Sequence, residues 1–337
     1  MRFHFHTPRA AVIYLLACAA ILVASPRLSS AQQRGGDFAP APPLKGVEDK
    51  PVAINTDLVS LRVSVTDKEG RFVSGLSQGA FAVYEDGVRQ EISFFSEQDV
   101  PVAVGVVLDV SGSMNGEKIM RAREALRHFI QTSHEDDEYF LIGFNDRPQL
   151  LLEGARGNDA MLARISGIEP QGDTALYDAI AFGLEQVKRS RLNKRALIVI
   201  SDGEDNHSRL DSGDVKRMLR EADLTVYTIL IGPLRPRSNG VAVMDGLASA
   251  TGGKSYFPGN AEKMSEAFEQ VALELRRQYS IGYTPSNFVT DGKWRHIEVK
   301  VTSPPGFPRL VVRNRKGYYA LGRDRRGRGS ETALSSP

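Results

Sequence analysis

Residues 102–108 read Val-Ala-Val-Gly-Val-Val-Leu, seven positions without a polar interruption, and the next five are Asp109-Val110-Ser111-Gly112-Ser113. A strand wetted on one face alternates apolar and polar residues. A run with no polar position needs cover on both faces, as in a parallel sheet flanked by helices. Parallel strands require crossover connections, so this segment commits the surrounding chain to an α/β architecture. The polar turn that leaves it sets one carboxylate and two hydroxyls at the carboxyl end of a buried strand, the expected ligand position of an open α/β sheet.

The neighbouring pattern agrees. Ile119, Ala122, Leu126 and Phe129 fall at helical spacing within 117–131, with lysines and arginines between them. Further strands are expected at 139–144, 149–152, 196–200 and 224–231, with an edge strand at 254–257. Helices are expected at 158–165, 175–188, 212–221, 241–250 and 261–277, and a projecting loop at 235–239. Strands separated by helices imply an open, doubly wound, mainly parallel sheet.

Two β-regions flank this core. Residues 58–66 alternate polar and apolar positions, 81–84 and 90–96 read as strands around a tight Glu85-Asp86-Gly87 turn, and 278–283, 294–301 and 309–312 are strand-like, with 318–319 a last short piece. Neither region is a convincing core alone. They are expected to pair into one small antiparallel domain or sandwich, bringing the ends of the α/β insert together; two independent appendages are the alternative. The resulting division is a signal peptide at 1–31, a flexible linker at 32–54, an N-terminal β-segment at 55–99, the α/β domain at 100–278, a C-terminal β-segment at 279–320 and a disordered basic tail at 321–337.

The leader has a basic start with Arg2 and Arg9, an apolar stretch at 10–24 and small residues Ser29-Ser30-Ala31 before Gln32, which fits cleavage after Ala31. As a retained anchor the stretch is shorter than the ~20 residues that span a bilayer. Lipidation at Cys18 is the other alternative, although Leu16 is bulky for such a signal. Cys18 is the sole cysteine, so the cleaved chain has neither disulfide nor thiolate site. An exported chain of this size without disulfides points to secretion or to a bacterial periplasm or cell envelope. The net charge of +2 includes Arg2, Arg9 and Arg27, so the mature chain is near neutral and its charge favours neither nucleic acid nor acidic lipid.

Three segments converge at the strand ends: Asp109, Ser111 and Ser113; Gly172-Asp173-Thr174 before a helix; and Ser201-Asp202-Gly203 after a strand. Two carboxylates and three hydroxyls suit Mg²⁺, alternatively Mn²⁺ or Ca²⁺, while the lack of histidine and cysteine in these loops disfavours zinc. Neutral hydroxyls leave a cation incompletely neutralised, which favours an acidic oxygen from outside. No acid–base pair for catalysis is evident, so the expectation is a binding protein and not an enzyme.

The Asp109-Val110-Ser111-Gly112-Ser113 motif, with Thr174 and Asp202, resembles the metal-ion-dependent adhesion site of von Willebrand factor type A domains. The resemblance covers about residues 101–278 and includes Gly143-Phe144-Asn145. With its exported leader and flanking β-segments, the chain is similar to the type A-related proteins common in Acidobacteria. The resemblance implies a mainly parallel six-stranded sheet with the third strand antiparallel at one edge. It implies direct ligands in Ser111, Ser113 and Thr174, with Asp109 and Asp202 close to the ion and often acting through water. It implies a protein partner whose Asp or Glu fills the open coordination position. Asn115-Gly116-Glu117 stands where integrin-like proteins carry more carboxylates, so an adjacent regulatory site is not expected. Asn145, Asp146, Gln171, Asp173, Glu204 and Asp205 are candidates for the partner-binding rim. Trp294 reads as core, and Thr251-Gly252-Gly253-Lys254 as a turn without phosphate-loop spacing. The leading expectation is a secreted or periplasmic adhesion-type module. The alternative is a structural envelope or scaffold protein whose metal only stiffens loops. No transmembrane segment is expected in the mature chain.

Overall fold

In chain order the elements are β1 (Val59–Thr66), β2 (Phe81–Glu85), β3 (Val88–Gln90), β4 (Ile92–Ser96), β5 (Val102–Asp109), α1 (Glu117–Gln131), β6 (Glu138–Phe144), β7 (Pro148–Arg156), α2 (Asn158–Ser166), α3 (Leu176–Lys188), β8 (Lys194–Ser201), α4 (Ser212–Glu221), β9 (Thr225–Leu230), α5 (Asn239–Ala250), β10 (Ser255–Tyr256), α6 (Ala261–Arg277), β11 (Tyr279–Tyr283), β12 (Trp294–Val301), β13 (Val311–Arg313) and β14 (Gly317–Tyr319). The computed structural model describes residues 58–156, 158–232, 239–287, 289–304 and 309–320. The expected leader, linker and basic tail, and most of the loop at 235–239, lie outside these residues.

β5 is buried along all eight residues. It runs parallel to β8 on one side and β6 on the other, within a six-stranded sheet ordered β10-β9-β8-β5-β6-β7. Val102, Val104, Val106 and Leu108 pack into the layer built with α1 and α6, while Ala103 and Val107 pack towards α3. Burying each such side chain contributes about 1.5–3 kcal/mol, which accounts for the absence of polar positions. Gly105 is required by close approach: a Cβ there would lie 2.5 Å from Val187 Cγ2 and 2.6 Å from Leu197 Cδ2. β7, longer than the four residues expected, runs antiparallel to β6 at one edge. β10 closes the other edge in parallel with β9. Among the described residues no helix is long and apolar enough to cross a membrane.

The flanking segments form two four-stranded antiparallel sheets, β13-β1-β11-β4 and β14-β12-β2-β3. They enclose one core that includes Leu61, Val63, Phe81, Val83, Tyr279, Ile281 and Ile297. The expected fold class is therefore observed, a mostly parallel α/β sheet inserted between antiparallel β-segments. β4 and β11 are neighbours, with Phe95 opposite Ile281, so the insert leaves and re-enters the sandwich at one place.

The segment at 90–96, read as one strand, is two. β3 pairs with β2, whereas β4 pairs with β11 in the other sheet. The chain changes sheets at Glu91, and the cause is tertiary: Gln90 faces Val83 while Ile92 faces Tyr283. The preceding turn was legible, since Asp86 (φ 48°) and Gly87 (φ 82°) take the left-handed conformations of a two-residue hairpin. Trp294 is half-buried, edge-on to Tyr319 with ring centroids 5.0 Å apart and with the Arg220 guanidinium 5.2 Å from its ring.

Polar contacts fasten the end of α6 to the insert's own sheet. Arg276 pairs with buried Asp137, which also accepts the Val102 N–H at 2.8 Å, and Lys194 donates to the Leu275 carbonyl. Burial, helped by the Arg62 and Arg276 charges, pushes the Lys194 ammonium down to about 8, against a model-compound value of 10.5. Between those two values the unfolded chain binds more protons than the folded one, so stability from this group rises with pH across that window. Urea unfolding from pH 7.5 to 10 is expected to show a gain of up to about 3 kcal/mol that Lys194→Met lacks. Identical pH slopes in the two proteins would contradict the assignment.

Candidate functional site

Asp109 ends β5 with no solvent exposure. Its Oδ1 accepts the Ser111 N–H at 2.9 Å and its Oδ2 accepts the Ser201 hydroxyl at 2.6 Å. The first bond folds the chain back at once, and a short 3-10 turn at Gly112–Met114 follows, pinned by the buried Met114 side chain. The Ser111 and Ser113 hydroxyl oxygens lie 3.0 Å apart. Burial pushes the Asp109 carboxyl above its ordinary range, with a contribution from the Asp202 charge and opposition from the Ser111 and Ser201 hydrogen bonds.

The second loop is stitched to the first. Gly112 N–H donates to Gly172 O at 3.0 Å and Gln171 N–H donates to Val110 O at 2.8 Å. Gly172 is left-handed (φ 80°), and a Cβ there would lie 2.7 Å from Asp146 Oδ1, which accepts the Asp173 N–H at 2.6 Å. Thr174 is 4% exposed and held by its backbone: its N–H donates to Asn206 Oδ1 at 2.8 Å, and its carbonyl accepts from the Asn206 and His207 N–H groups.

In the third loop Ser201 is fully buried and accepts the Gly203 N–H at 3.0 Å. Asp202 Oδ2 lies 2.8 Å from Lys118 Nζ, and Asp202 Oδ1 is buried with no hydrogen-bond partner. Asp109, Ser111 and Ser113 thus share one loop beside the Thr174 loop, while Asp202 follows the β8 residue that bonds Asp109. Among the described residues, no group of three or more His, Cys, Asp or Glu side chains gathers that could hold a metal ion. The oxygens that gather here come from hydroxyls as well as the two carboxylates.

The rim candidates divide. Gln171, Asp173 and Glu204 are exposed and Asn145 is half-exposed. The Asp146 carboxylate is bound to the Asp173 backbone. Asp205 turns inward, accepting from Tyr177 N–H at 3.1 Å and from the Ser208 hydroxyl at 2.6 Å at the start of α3. Four residues escaped assignment from sequence. Ser201 sat in the Ser-Asp-Gly motif as a visible signal. Asn206 was visible only as one more polar loop residue. Asp178, which accepts from the Arg209 and Leu210 N–H groups, and Lys118 carried no signal, because their partners are distant in the chain.

Residues 104–204 match the sequence profile of the von Willebrand factor type A domain family. That match supports a von Willebrand factor type A domain within this chain over those residues. An uncharacterized protein of Synechocystis sp. is 25% identical over 205 residues, an alignment covering 58% of this chain and 46% of that protein. The chain thus spans less than half the length of that relative. A von Willebrand factor type A structure from Catenulispora acidiphila superimposes with a TM-score of 0.47 at 14% identity, covering 80% of this chain and 76% of that one. Proximal thread matrix protein 1 of the mussel byssus, in a structure with a zinc-occupied metal-ion-dependent adhesion site, gives a TM-score of 0.46 at 17% identity, covering 56% of this chain and 48% of that one. Domains of that family are generally non-catalytic modules of adhesion and protein interaction.

Proposed function

We propose that this chain is an exported bacterial protein-binding module in which Asp109, Ser111, Ser113, Thr174 and Asp202 hold a divalent cation and a partner's Asp or Glu completes the ion's coordination. The observation that carries the reading is Asp202 Oδ1, a buried carboxylate oxygen with no hydrogen-bond partner. Leaving such an oxygen unsatisfied costs about 1–3 kcal/mol or more, which a hard cation offsets. The contact between the Ser111 and Ser113 hydroxyls supports the same reading, because both oxygens carry lone pairs for an ion. The donor set favours Mg²⁺, with Mn²⁺ or Ca²⁺ as alternatives. When bound, the ion acts as a Lewis acid for the incoming carboxylate. The protein's own residues fix where that carboxylate arrives, and the exposed Gln171, Asp173 and Glu204 side chains are placed to test its neighbours. The leader at 1–31 supports export and a secreted or periplasmic location.

Calorimetric titration of the protein with Mg²⁺, Mn²⁺ and Ca²⁺ tests the ion-binding step, and binding of at least one is expected. Thr174→Ala keeps every backbone bond described for that residue, so the protein is expected to fold normally. Its affinity for the ion is expected to fall about 10- to 150-fold, the equivalent of a lost charge-assisted contact. Silence with all three ions, or wild-type affinity in folded Thr174→Ala, would remove the reading's basis.

A further inference from the structure

Lys118 occupies the first turn of α1, and its ammonium rests on Asp202 Oδ2 at 2.8 Å while the other oxygen of that carboxylate is buried and unbonded. The pair is enclosed, with side chains 29% and 11% exposed. The lysine stem passes over Gly232, just beyond β9. A Cβ at Gly232 would meet Lys118 Cε at 3.6 Å and Nζ at 3.8 Å, and the Asp202 Cβ at 4.0 Å. The neighbouring Glu117 carboxylate is engaged by Arg121, which leaves Asp202 as the acid paired with Lys118.

We propose that Lys118 is a built-in counter-ion that holds the site's affinity for the free cation down and couples metal binding to carboxylate capture. This rests on the metal-site reading above. Lys118 takes one Asp202 oxygen and leaves the other to the ion, so a fixed positive charge adjoins the place where a second must enter. In formal charge Asp109 and Asp202 at most balance a divalent cation, the neutral hydroxyls of Ser111, Ser113 and Thr174 add nothing to that balance, and Lys118 leaves the loaded site with one net positive charge. The metal alone is then disfavoured, and an external carboxylate restores neutrality. The sequence motif supplies the ligands, and this lysine sets how strongly the loaded site depends on a partner.

Mn²⁺ titrated into full-length wild type, Lys118→Met and Lys118→Arg tests this, with thermal melts by circular dichroism to establish folding. Lys118→Met is expected to bind Mn²⁺ about tenfold more tightly, because removing a unit charge from a partly enclosed site weakens a repulsion that water screens incompletely. Lys118→Arg keeps the charge and is expected to stay near wild type. Acetate added to the Mn²⁺-saturated proteins, followed by water proton relaxation, is expected to bind Lys118→Met more weakly than wild type. Equal or weaker Mn²⁺ affinity in Lys118→Met would overturn the counter-ion role while leaving the metal site standing. Absence of binding in all three proteins would overturn the metal site and this inference together. Equal acetate affinity would remove the coupling.

Discussion

Glu274→Ala is expected to lower the stability of the protein by about 3–5 kcal/mol, the cost of leaving a buried charge without its partner. Glu274 lies on α6 with no solvent exposure, its Oε1 accepting the Ser64 hydroxyl at 2.6 Å and its Oε2 paired with Arg313. Ser64 and Arg313 face each other in register on β1 and β13. One carboxylate of the α/β domain therefore joins two strands of the sandwich. A domain is stable by only about 5–15 kcal/mol in total, so this single change removes a large share. Urea denaturation followed by circular dichroism measures it. The double variant Glu274→Ala/Arg313→Met, which removes both charges, is expected to recover part of the loss. A loss under about 1 kcal/mol for Glu274→Ala would show that the contact is not a fastening.

Asp109→Asn is expected to abolish cation binding and, in the metal-free protein, to raise stability. The wild-type carboxylate is buried with Asp202 close enough to raise its proton affinity, so its charge is costly without an ion. An asparagine Oδ1 retains the acceptor for the Ser111 N–H, and its Nδ2 donates to the Ser201 hydroxyl oxygen in place of the bond that Asp109 Oδ2 accepts. The substitution therefore removes a penalty while sparing the turn. Thermal melts with and without Mg²⁺ separate the effects. Mg²⁺ is expected to raise the wild-type melting temperature and leave that of Asp109→Asn unchanged, with metal affinity reduced at least about 100-fold, close to 3 kcal/mol. A variant that is less stable than metal-free wild type, or that still responds to Mg²⁺, would contradict this account.

The α/β core and the polar Asp109–Ser113 turn were legible for one reason: both are written in contiguous residues. β5 has no polar position until Asp109, so the buried strand and the polar crevice at its end are read in one pass. Thr174 and Asp202 could be added because each sits where a helix starts or a strand ends. Glu91 shows where such reading stops. The apolar positions of β3 and β4 continue across it, and only their partners, Val83 and Tyr283, reveal two sheets. Lys118 shows the same limit at the site. On α1 it is an unremarkable polar residue between Glu117 and Ile119, and its meaning comes from a carboxylate 84 residues away. Asp205 was read as rim because it neighbours Asp202, yet the start of α3 claims its carboxylate.

The adjacency of β4 and β11 has a mechanical consequence. Tension applied between residues 58 and 320 enters through the sandwich, where β1 is laddered to β11 and β11 to β4. Those ladders bridge the two ends of the insert, so the load passes across their hydrogen bonds and the α/β domain lies outside the force path. The crevice around Asp109 lies behind that ladder, which must part before tension along the chain is drawn through the α/β domain.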